Sequence, residues 1–318
     1  MSAQPQISIV IPLYNEEAGF AMLIDRLNQL IKNSELTIEV VLVNDGSRDK
    51  TPLLMNELAL TDSHYQCVFL ARNHGHQLAL TAGLAHVNCS EAVFVIDGDL
   101  QDPPELLGRF YEKYKEGFEV IYGIRRKRKE SAVKKFFYWM YYRLLKNISS
   151  INIPLDSGDF ALLSRRVVDH LNEMPERSRF IRGMRSWIGF RQTGLEYERD
   201  ARAAGNAKYN FNMLFHLAYN GIFNFSEFPV KLITRMGMLT MLGALLFFIY
   251  ILVKMYLLGG VPEGYTSLFL AITIFSGVQL LSLGLIGEYV LRIYDQVRGR
   301  PLYIVDKVIK NKELQKRG

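Results

Sequence analysis

The sequence is poor in cysteine. Its 318 residues include only Cys67 and Cys89, which are too few for a disulfide framework and lack the spacing of metal ligands. The first residues, Met1 to Gln6, are polar, and the apolar run after them soon reaches Pro12 and Asn15. We therefore expect no secretory signal peptide and a cytosolic N-terminal part.

Acidic residues are outnumbered by basic ones. The 38 Lys and Arg against 32 Asp and Glu give a net charge of +6. A basic chain suggests an anionic partner, which could be nucleic acid, anionic lipid or a phosphorylated ligand. The mean hydropathy of +0.04 is high for a soluble protein, and the excess lies in two C-terminal apolar blocks. These blocks favour lipid and phosphate, and we expect no nucleic-acid partner.

The two apolar blocks, Met236 to Val253 and Thr266 to Gly287, contain no charged residue. A helix needs roughly 20 apolar residues to cross a bilayer core. We predict transmembrane helices at about 236–257 and 266–288, within a hairpin that spans 235–290. The alternative is two buried helices of a soluble core, which long uncharged runs disfavour.

Basic residues flank the hairpin on its outer sides and are scarce in its connecting loop. The positive-inside tendency therefore places both outer flanks in the cytoplasm, including a basic tail at 291–318. Glycines of the hairpin could pack helix on helix or form a homo-oligomer interface, and both alternatives remain open. The flanking basic residues are Lys231, Arg235, Arg292, Arg298, Arg300, Lys307, Lys310, Lys312, Lys316 and Arg317.

Two further segments combine aromatic and basic residues. Lys134 to Lys146 lies within a predicted amphipathic helix at about 131–148, and Tyr209 to Phe228 lies within a juxtamembrane segment at 208–234. Such helices are typical of the headgroup layer. The alternative is a pair of ordinary core helices.

The N-terminal part alternates short β-rich runs with amphipathic helical segments. This alternation predicts an α/β domain with a mostly parallel sheet and helices on both faces. In such sheets ligands bind beyond the carboxyl ends of the strands, and each polar cluster of this region falls at such an end. The predicted strands are Ile7–Leu13, Ile38–Asn44, Gln66–Ala71, Ala92–Ile96 and Glu119–Gly123.

Two of these strand ends carry acidic motifs. Asp97 and Asp99, directly after a buried strand, can share one Mg²⁺ or Mn²⁺ ion with a diphosphate, since these ions prefer oxygen ligands. A solvated loop is the alternative for an isolated pair of this kind. Asp45 can accept a hydrogen bond from a nucleotide, or the segment Val43 to Ser47 can be a turn and a helix cap.

The motifs IVIPLYNEE, VNDGSRDKT, LARNHGHQLALTAGL, DGDLQDPPE and SGDFALLSR together resemble family 2 glycosyltransferases with a GT-A fold. The C-terminal hairpin, closing with GEYVLRIYDQVRGRPLY, narrows the resemblance to polyprenyl-phosphate glycosyltransferases. These include bactoprenol glucosyltransferases and dolichol-phosphate mannose synthases. The resemblance implies a cytoplasmic GT-A Rossmann-like catalytic domain at 1–207, in an integral protein of the bacterial inner membrane.

The resemblance also implies a reaction. A sugar passes with inversion from a nucleotide-sugar donor, expected to be a UDP-sugar such as UDP-glucose, to polyprenyl (undecaprenyl) phosphate. The product is a lipid-linked sugar for modification of a cell-envelope glycan. Two alternatives are a processive polysaccharide synthase, which usually carries a Gln-x-x-Arg-Trp motif that is missing here, and a non-catalytic membrane scaffold, which would not need the acidic motifs.

Site roles follow from the same resemblance. Asp159 and Asp97 are the expected catalytic residues, and Arg125 and Arg126 would meet the acceptor phosphate. Asp97, Asp99 and Gln101 would hold Mg²⁺ or Mn²⁺. The residues expected to bind the nucleotide sugar are Pro12, Tyr14, Glu16, Asp45, Asp97, Gln101, Arg202 and Lys208.

This sequence departs from the family pattern at two positions. Ala207 stands where Ser or Thr usually precedes the lysine, and His76 stands where Lys or Gln is frequent. A separate question concerns four arginines that could bind a diphosphate or anionic lipid or simply form a helix face. They are Arg177, Arg179, Arg182 and Arg185.

Overall fold

A computed structural model describes residues 4–125, 157–177, 179–198, 228–258 and 264–315. The chain divides into two units. The first holds the sheet, its helices and the residues from 300 onward, and the second holds the two long C-terminal helices. The predicted segment 131–148 and most of 208–234 lie outside the described residues.

The described chain forms nine strands and eight α-helices, with a short 3₁₀ turn at Pro104–Leu106. The strands are β1 Ile7–Leu13, β2 Ile38–Asn44, β3 Tyr65–Leu70, β4 Ala92–Val95, β5 Val120–Arg125, β6 Ser157–Ser164, β7 Gln192–Tyr197, β8 Val305–Lys310 and β9 Glu313–Gln315. The helices are α1 Glu17–Asn33, α2 Thr51–Thr61, α3 His76–Ala85, α4 Leu107–Lys115, α5 Arg165–Glu173, α6 Ile181–Ile188, α7 Phe228–Leu258 and α8 Tyr265–Val297.

All nine strands belong to one sheet, in the order β7-β5-β6-β4-β1-β2-β3-β8-β9. The centre is parallel: β1 pairs with β2 and β4, and β2 pairs with β3. The strand β6 is antiparallel to both β4 and β5, while β5 and β7 are parallel. The prediction of a mostly parallel α/β sheet is confirmed.

Strand β1 is buried on both faces, which explains why Ser8 is its one polar residue. Ile9 and Ile11 belong to a core that includes Leu23 of α1. On the opposite face Val10 meets α3, where a Cβ at Gly83 would come 2.3 Å from Val10 Cγ1. Helices therefore cover both faces of the sheet, and the strand ends are left as the accessible edges.

The C-terminal residues differ from the predicted basic tail. Strand β8 pairs antiparallel with β3, with Ile309 opposite Cys67. The Ile309 side chain is buried, and Lys307 Nζ donates to Asn56 Oδ1 at 2.7 Å. Strand β8 is second from the edge of the sheet, and Ile309 is its one buried residue, so its composition resembles that of a solvated tail. The pairing partner lies more than 200 positions earlier in the chain, where local patterns cannot indicate it.

The second unit contains α7 and α8. They include apolar stretches, Ile233–Leu257 and Ala271–Val297, with mean hydropathies of 2.4 and 1.6, and neither stretch is buried inside the protein. Both helices are long and apolar enough to cross a membrane. Their exposed apolar side chains distinguish them from the core helices of the first unit.

Candidate active site

The sheet register brings two of the predicted acidic residues together. Val95, the last residue of β4, pairs with Ala161 of the antiparallel strand β6. Asp97 follows Val95 by two residues, and Asp159 precedes Ala161 by two residues. Antiparallel pairing therefore places both carboxylates at the edge where β1, β2 and β4 also end.

His76, the first residue of α3, lies between these two carboxylates. Its Nε2 atom is 3.6 Å from Asp97 Oδ1 and 3.4 Å from Asp159 Oδ2. Burial lowers the pKa of His76, but the hydrogen bond with Asp159 and the charges of both carboxylates outweigh burial and raise this pKa to about 9. The imidazole is therefore a cation at neutral pH, and it links the ends of β4 and β6.

The Asp159 carboxylate is enclosed by donors. Arg182 donates from Nε to Oδ1 at 2.9 Å and from Nη2 to Oδ2 at 3.0 Å, and Gln77 Nε2 donates to Oδ2 at 3.0 Å. Burial alone would raise the pKa of Asp159, but Arg182 and then His76 hold it well below its ordinary value. This carboxylate stays ionised throughout the neutral range.

Gln77 joins three elements at this point. Gln77 lies in α3, and its amide nitrogen donates a hydrogen bond to Asp159 of β6. Its Oε1 accepts from the backbone N–H of Ile181, the first residue of α6, at 3.0 Å. Gln77 was not among the predicted site residues. The available signal was its position at the start of a helix that follows a strand-end loop.

Asp97 is the carboxylate whose hydrogen bonding is least complete. Its Oδ1 is buried and accepts no hydrogen bond from any described residue. Burial raises the pKa of Asp97 to about 6; His76 opposes this shift, and the charges of Asp102, Asp159 and Asp99 add to it. A buried oxygen without a donor is suited to a positive ligand.

The rest of the loop after β4 is tightly shaped. A Cβ at Gly98 would come 2.3 Å from Leu13 Cδ2, so a larger residue between Asp97 and Asp99 would require the Leu13 side chain to move. Asp99 Oδ1 accepts from the backbone N–H of Gln101 at 3.2 Å, and Leu100 has a φ of 59°. Within the described part of the chain, no three His, Cys, Asp or Glu side chains group as metal ligands.

Asp45, at the end of β2, organises the next loop along the sheet. Its Oδ1 and Oδ2 accept from the backbone N–H groups of His74 and Gly75 at 2.7 and 3.0 Å. Burial raises the pKa of Asp45, and these two hydrogen bonds only partly oppose the shift. The loop that follows β3 is therefore hydrogen-bonded to the end of β2.

The loop after β1 is also hydrogen-bonded to the loop after β2. The Asn15 backbone N–H donates to Ser47 Oγ at 3.0 Å, and Asn15 Oδ1 accepts from the Arg48 N–H at 2.8 Å. The Glu16 N–H donates to Thr51 Oγ1 at 3.0 Å. Three strand-end loops thus form one continuous rim.

The predicted nucleotide residues are distributed along this rim. Pro12 pairs with Val43 inside β1, Tyr14 and Glu16 lie in the loop that follows, and Asp45 lies at the next strand end. The rim and the pair of Asp97 and Asp159 share one edge of the sheet, where a nucleotide and a second substrate could meet.

Sequence comparison identifies the family. The family model described as "Glycosyl transferase family 2" matches residues 8–171. These residues include the rim, Asp97 and Asp159. The chain belongs to glycosyltransferase family 2. The predicted GT-A fold and glycosyltransferase activity are confirmed with it.

Named relatives of this glycosyltransferase match it over nearly their full length. An "Uncharacterized glycosyltransferase YkcC" of Bacillus subtilis is 43% identical, covering 99% of this chain and 98% of its own. An "SfII prophage-derived bactoprenol glucosyl transferase" of Shigella flexneri is 36% identical over 95% and 98%. A "Prophage bactoprenol glucosyl transferase homolog" of Escherichia coli is 34% identical over 96% and 100%. These matches support the predicted resemblance to polyprenyl-phosphate glycosyltransferases.

The arginines of the glycosyltransferase between residues 177 and 185 have separate environments. Arg179 is buried and donates to the carbonyls of Met174 and Leu171, both at 2.7 Å, at the end of α5. Arg185 is buried beside the Gly158 carbonyl at 3.2 Å, and burial lowers its pKa to about 10. Only Arg182 of these three reaches a predicted catalytic carboxylate.

Several predicted residues cannot be placed. Arg125 is the last residue of β5, which ends at the same edge as β4, but its side chain is not described. Arg126, Arg202 and Lys208 lie outside the described residues. The predictions for these four residues remain untested.

Proposed function

We propose that this glycosyltransferase moves a sugar from a UDP-sugar, such as UDP-glucose, to polyprenyl phosphate. The observation that carries the proposal is the meeting of Asp97 and Asp159 at the strand-end edge of a chain that also has two long, exposed apolar helices. The relatives named bactoprenol glucosyl transferase support the same acceptor. The lipid-linked sugar would then serve cell-envelope glycan modification.

The donor nucleotide would bind along the rim. Pro12, Tyr14, Glu16 and Asp45 are the residues that we expect to line its pocket. Asp45 is buried and bound to the neighbouring backbone, so we expect it to act mainly by holding the loop of His74 and Gly75 in shape. We expect Arg202 and Lys208 to meet the donor diphosphate.

A divalent cation fits the residues at the end of β4. Asp97 and Asp99 would hold Mg²⁺ or Mn²⁺ with help from Gln101, and the diphosphate oxygens would complete the ligand set. The buried Asp97 Oδ1 without a hydrogen-bond donor supports this assignment. When bound, such a cation offsets charge on the leaving nucleoside diphosphate.

The acceptor brings its own nucleophile. A phosphomonoester has a second pKa of about 6, so its oxygen is largely ionised at neutral pH and a strong base is not needed. A single displacement by this oxygen would invert the anomeric carbon. We expect Arg125 and Arg126 to bind the acceptor phosphate, and the main contributions to rate to be positioning and charge stabilisation.

The membrane arrangement belongs to the same proposal. We expect α7 and α8 to cross the bacterial inner membrane, with the catalytic domain and both termini in the cytoplasm, because the basic residues flank the hairpin on its outer sides. The segments 131–148 and 208–234 would lie in the headgroup layer, where a lipid phosphate is presented.

The experiment is a transfer assay with purified protein in vesicles that contain polyprenyl phosphate. A panel of radiolabelled nucleotide sugars is supplied with and without Mn²⁺ or Mg²⁺, and the lipid extract is counted. We expect cation-dependent labelling from a UDP-sugar. Asp99→Asn should abolish this labelling, while Asp25→Asn, an exposed carboxylate of α1, should keep it. Full activity of Asp99→Asn would overturn the metal assignment, and an unlabelled wild-type lipid extract would overturn the acceptor assignment.

A further inference from the structure

The hydrogen-bonding capacity of Asp159 is already used inside the protein. Its side chain is 4% exposed, and three N–H groups of Arg182 and Gln77 donate to its two oxygens. The His76 Nε2 approaches Oδ2 as well, at 3.4 Å. A carboxylate in this setting has little room to receive a proton from a substrate.

A base at this position is also unsuited to the chemistry. Arg182 and His76 hold the pKa of Asp159 well below its ordinary value, although burial opposes them. General bases work best when their pKa lies near the working pH. The proposed acceptor is already deprotonated, so the reaction provides no proton that Asp159 must take.

The cations around Asp159 are more accessible than the carboxylate itself. The Arg182 side chain is 23% exposed and that of His76 is 40% exposed. His76 also reaches toward Asp97 at 3.6 Å, so it extends from Asp159 to the proposed metal site. The Asp159 carboxylate is less exposed than either side chain, and its two hydrogen bonds with Arg182 fix the plane of the guanidinium.

We infer that Asp159 is a positioning residue, which holds the Arg182 guanidinium in the orientation that binds the acceptor phosphate. This inference rests on the proposed function and names a subsite within it. One phosphate oxygen forms the new bond to the anomeric carbon, and the carbon–oxygen bond to the nucleoside diphosphate breaks. The electron pair leaves with the diphosphate, and no proton is transferred.

The first test is Arg182→Lys, because this variant keeps the positive charge beside Asp159 but loses the bidentate hydrogen bonding of the guanidinium. We expect kcat/KM for polyprenyl phosphate to fall about tenfold or more, with an unchanged Kd for UDP measured by calorimetry with Mn²⁺. The matched control is Arg109→Lys, an exposed arginine on α4, which should behave as wild type. An unchanged kcat/KM for Arg182→Lys would overturn the inference.

A double-mutant cycle separates positioning from base catalysis. If Asp159 acts through Arg182, then Asp159→Asn should cost little further activity in an Arg182→Gln background. If Asp159 is the base, the two losses should multiply. Should Asp159→Asn fail to fold, Arg182→Lys still tests whether the acceptor phosphate requires the guanidinium, since it leaves the ion pair charged.

Failure of this inference is distinguishable from failure of the proposed function. A wild-type protein that labels no polyprenyl phosphate contradicts the proposed function itself. A wild-type protein that is active, combined with multiplying losses in the cycle, contradicts only the positioning role of Asp159.

Discussion

The backbone of Gly46 lies directly against that of Asn73: a Cβ at residue 46 would come 2.4 Å from the Asn73 nitrogen. Gly46 also has a φ of +63°, which glycine adopts readily and other residues rarely do. The neighbouring Asp45 accepts from the next two backbone N–H groups, those of His74 and Gly75. The loops after β2 and β3 thus contact each other closely within the rim.

Gly46→Ala should therefore destabilise the protein by about 2–4 kcal/mol, from the left-handed backbone and the clash together. It should also weaken UDP binding, since the rim must open. Denaturant unfolding in detergent and calorimetry with UDP measure the two effects. Gly108→Ala is the control, because nothing lies within 4 Å of its added Cβ in α4. Equal stability of the two variants would contradict this account of the rim.

Arg179 is predicted to serve stability and not turnover. Arg179→Gln removes a buried guanidinium that donates to two carbonyls at the end of α5, and should cost about 2–4 kcal/mol. The kcat of the folded fraction should remain that of wild type. Arg109→Gln, on an exposed surface, should change stability by less than about 0.5 kcal/mol. A large fall in the kcat of fully folded Arg179→Gln would show that Arg179 contributes to catalysis.

The C-terminal strand is predicted to be part of the folded domain. Ile309→Ala should cost about 2–4 kcal/mol, because its side chain is buried where β8 meets β3. Ile304→Ala gives a matched control, since that side chain is 55% exposed. Thermal unfolding of both variants is the measurement. Indistinguishable Tm values would show that β8 behaves as a detached tail.

The alternation of strands and helices up to β5 could be predicted from sequence because each strand there is a largely apolar run. Strand β8 could not, because it has one buried residue, Ile309, and no such run. The same limit applies to the site. Asp97 and Asp159 follow from motifs, but the bonds from Gln77 and Arg182 to Asp159 join residues 82 and 23 positions apart. No local pattern specifies those contacts, which depend on the register of β6 against β4.

The ion pair at Asp159 predicts a pH dependence of stability. The pKa of Asp159 is lowered in the folded protein from an ordinary 3.8, so the folded state binds fewer protons than the unfolded state. Its contribution is therefore present above about pH 4 and is lost as pH falls through the lower, folded pKa. Asp159→Asn should cost about 3–5 kcal/mol at pH 7, and the difference from wild type should shrink below about pH 4. Denaturant unfolding across this range checks it, and a difference that stays constant down to pH 3 would refute the assignment.

The central claim is the transfer of one sugar to a lipid monophosphate at the edge that holds Asp97 and Asp159. The most direct measurement is mass spectrometry of the lipid formed by purified protein, polyprenyl phosphate, Mn²⁺ and the best donor of the panel. We expect a product with the mass of the lipid phosphate plus a single sugar residue, and no such product when polyprenol replaces polyprenyl phosphate. A polymeric product, or equal transfer to the unphosphorylated alcohol, would contradict it.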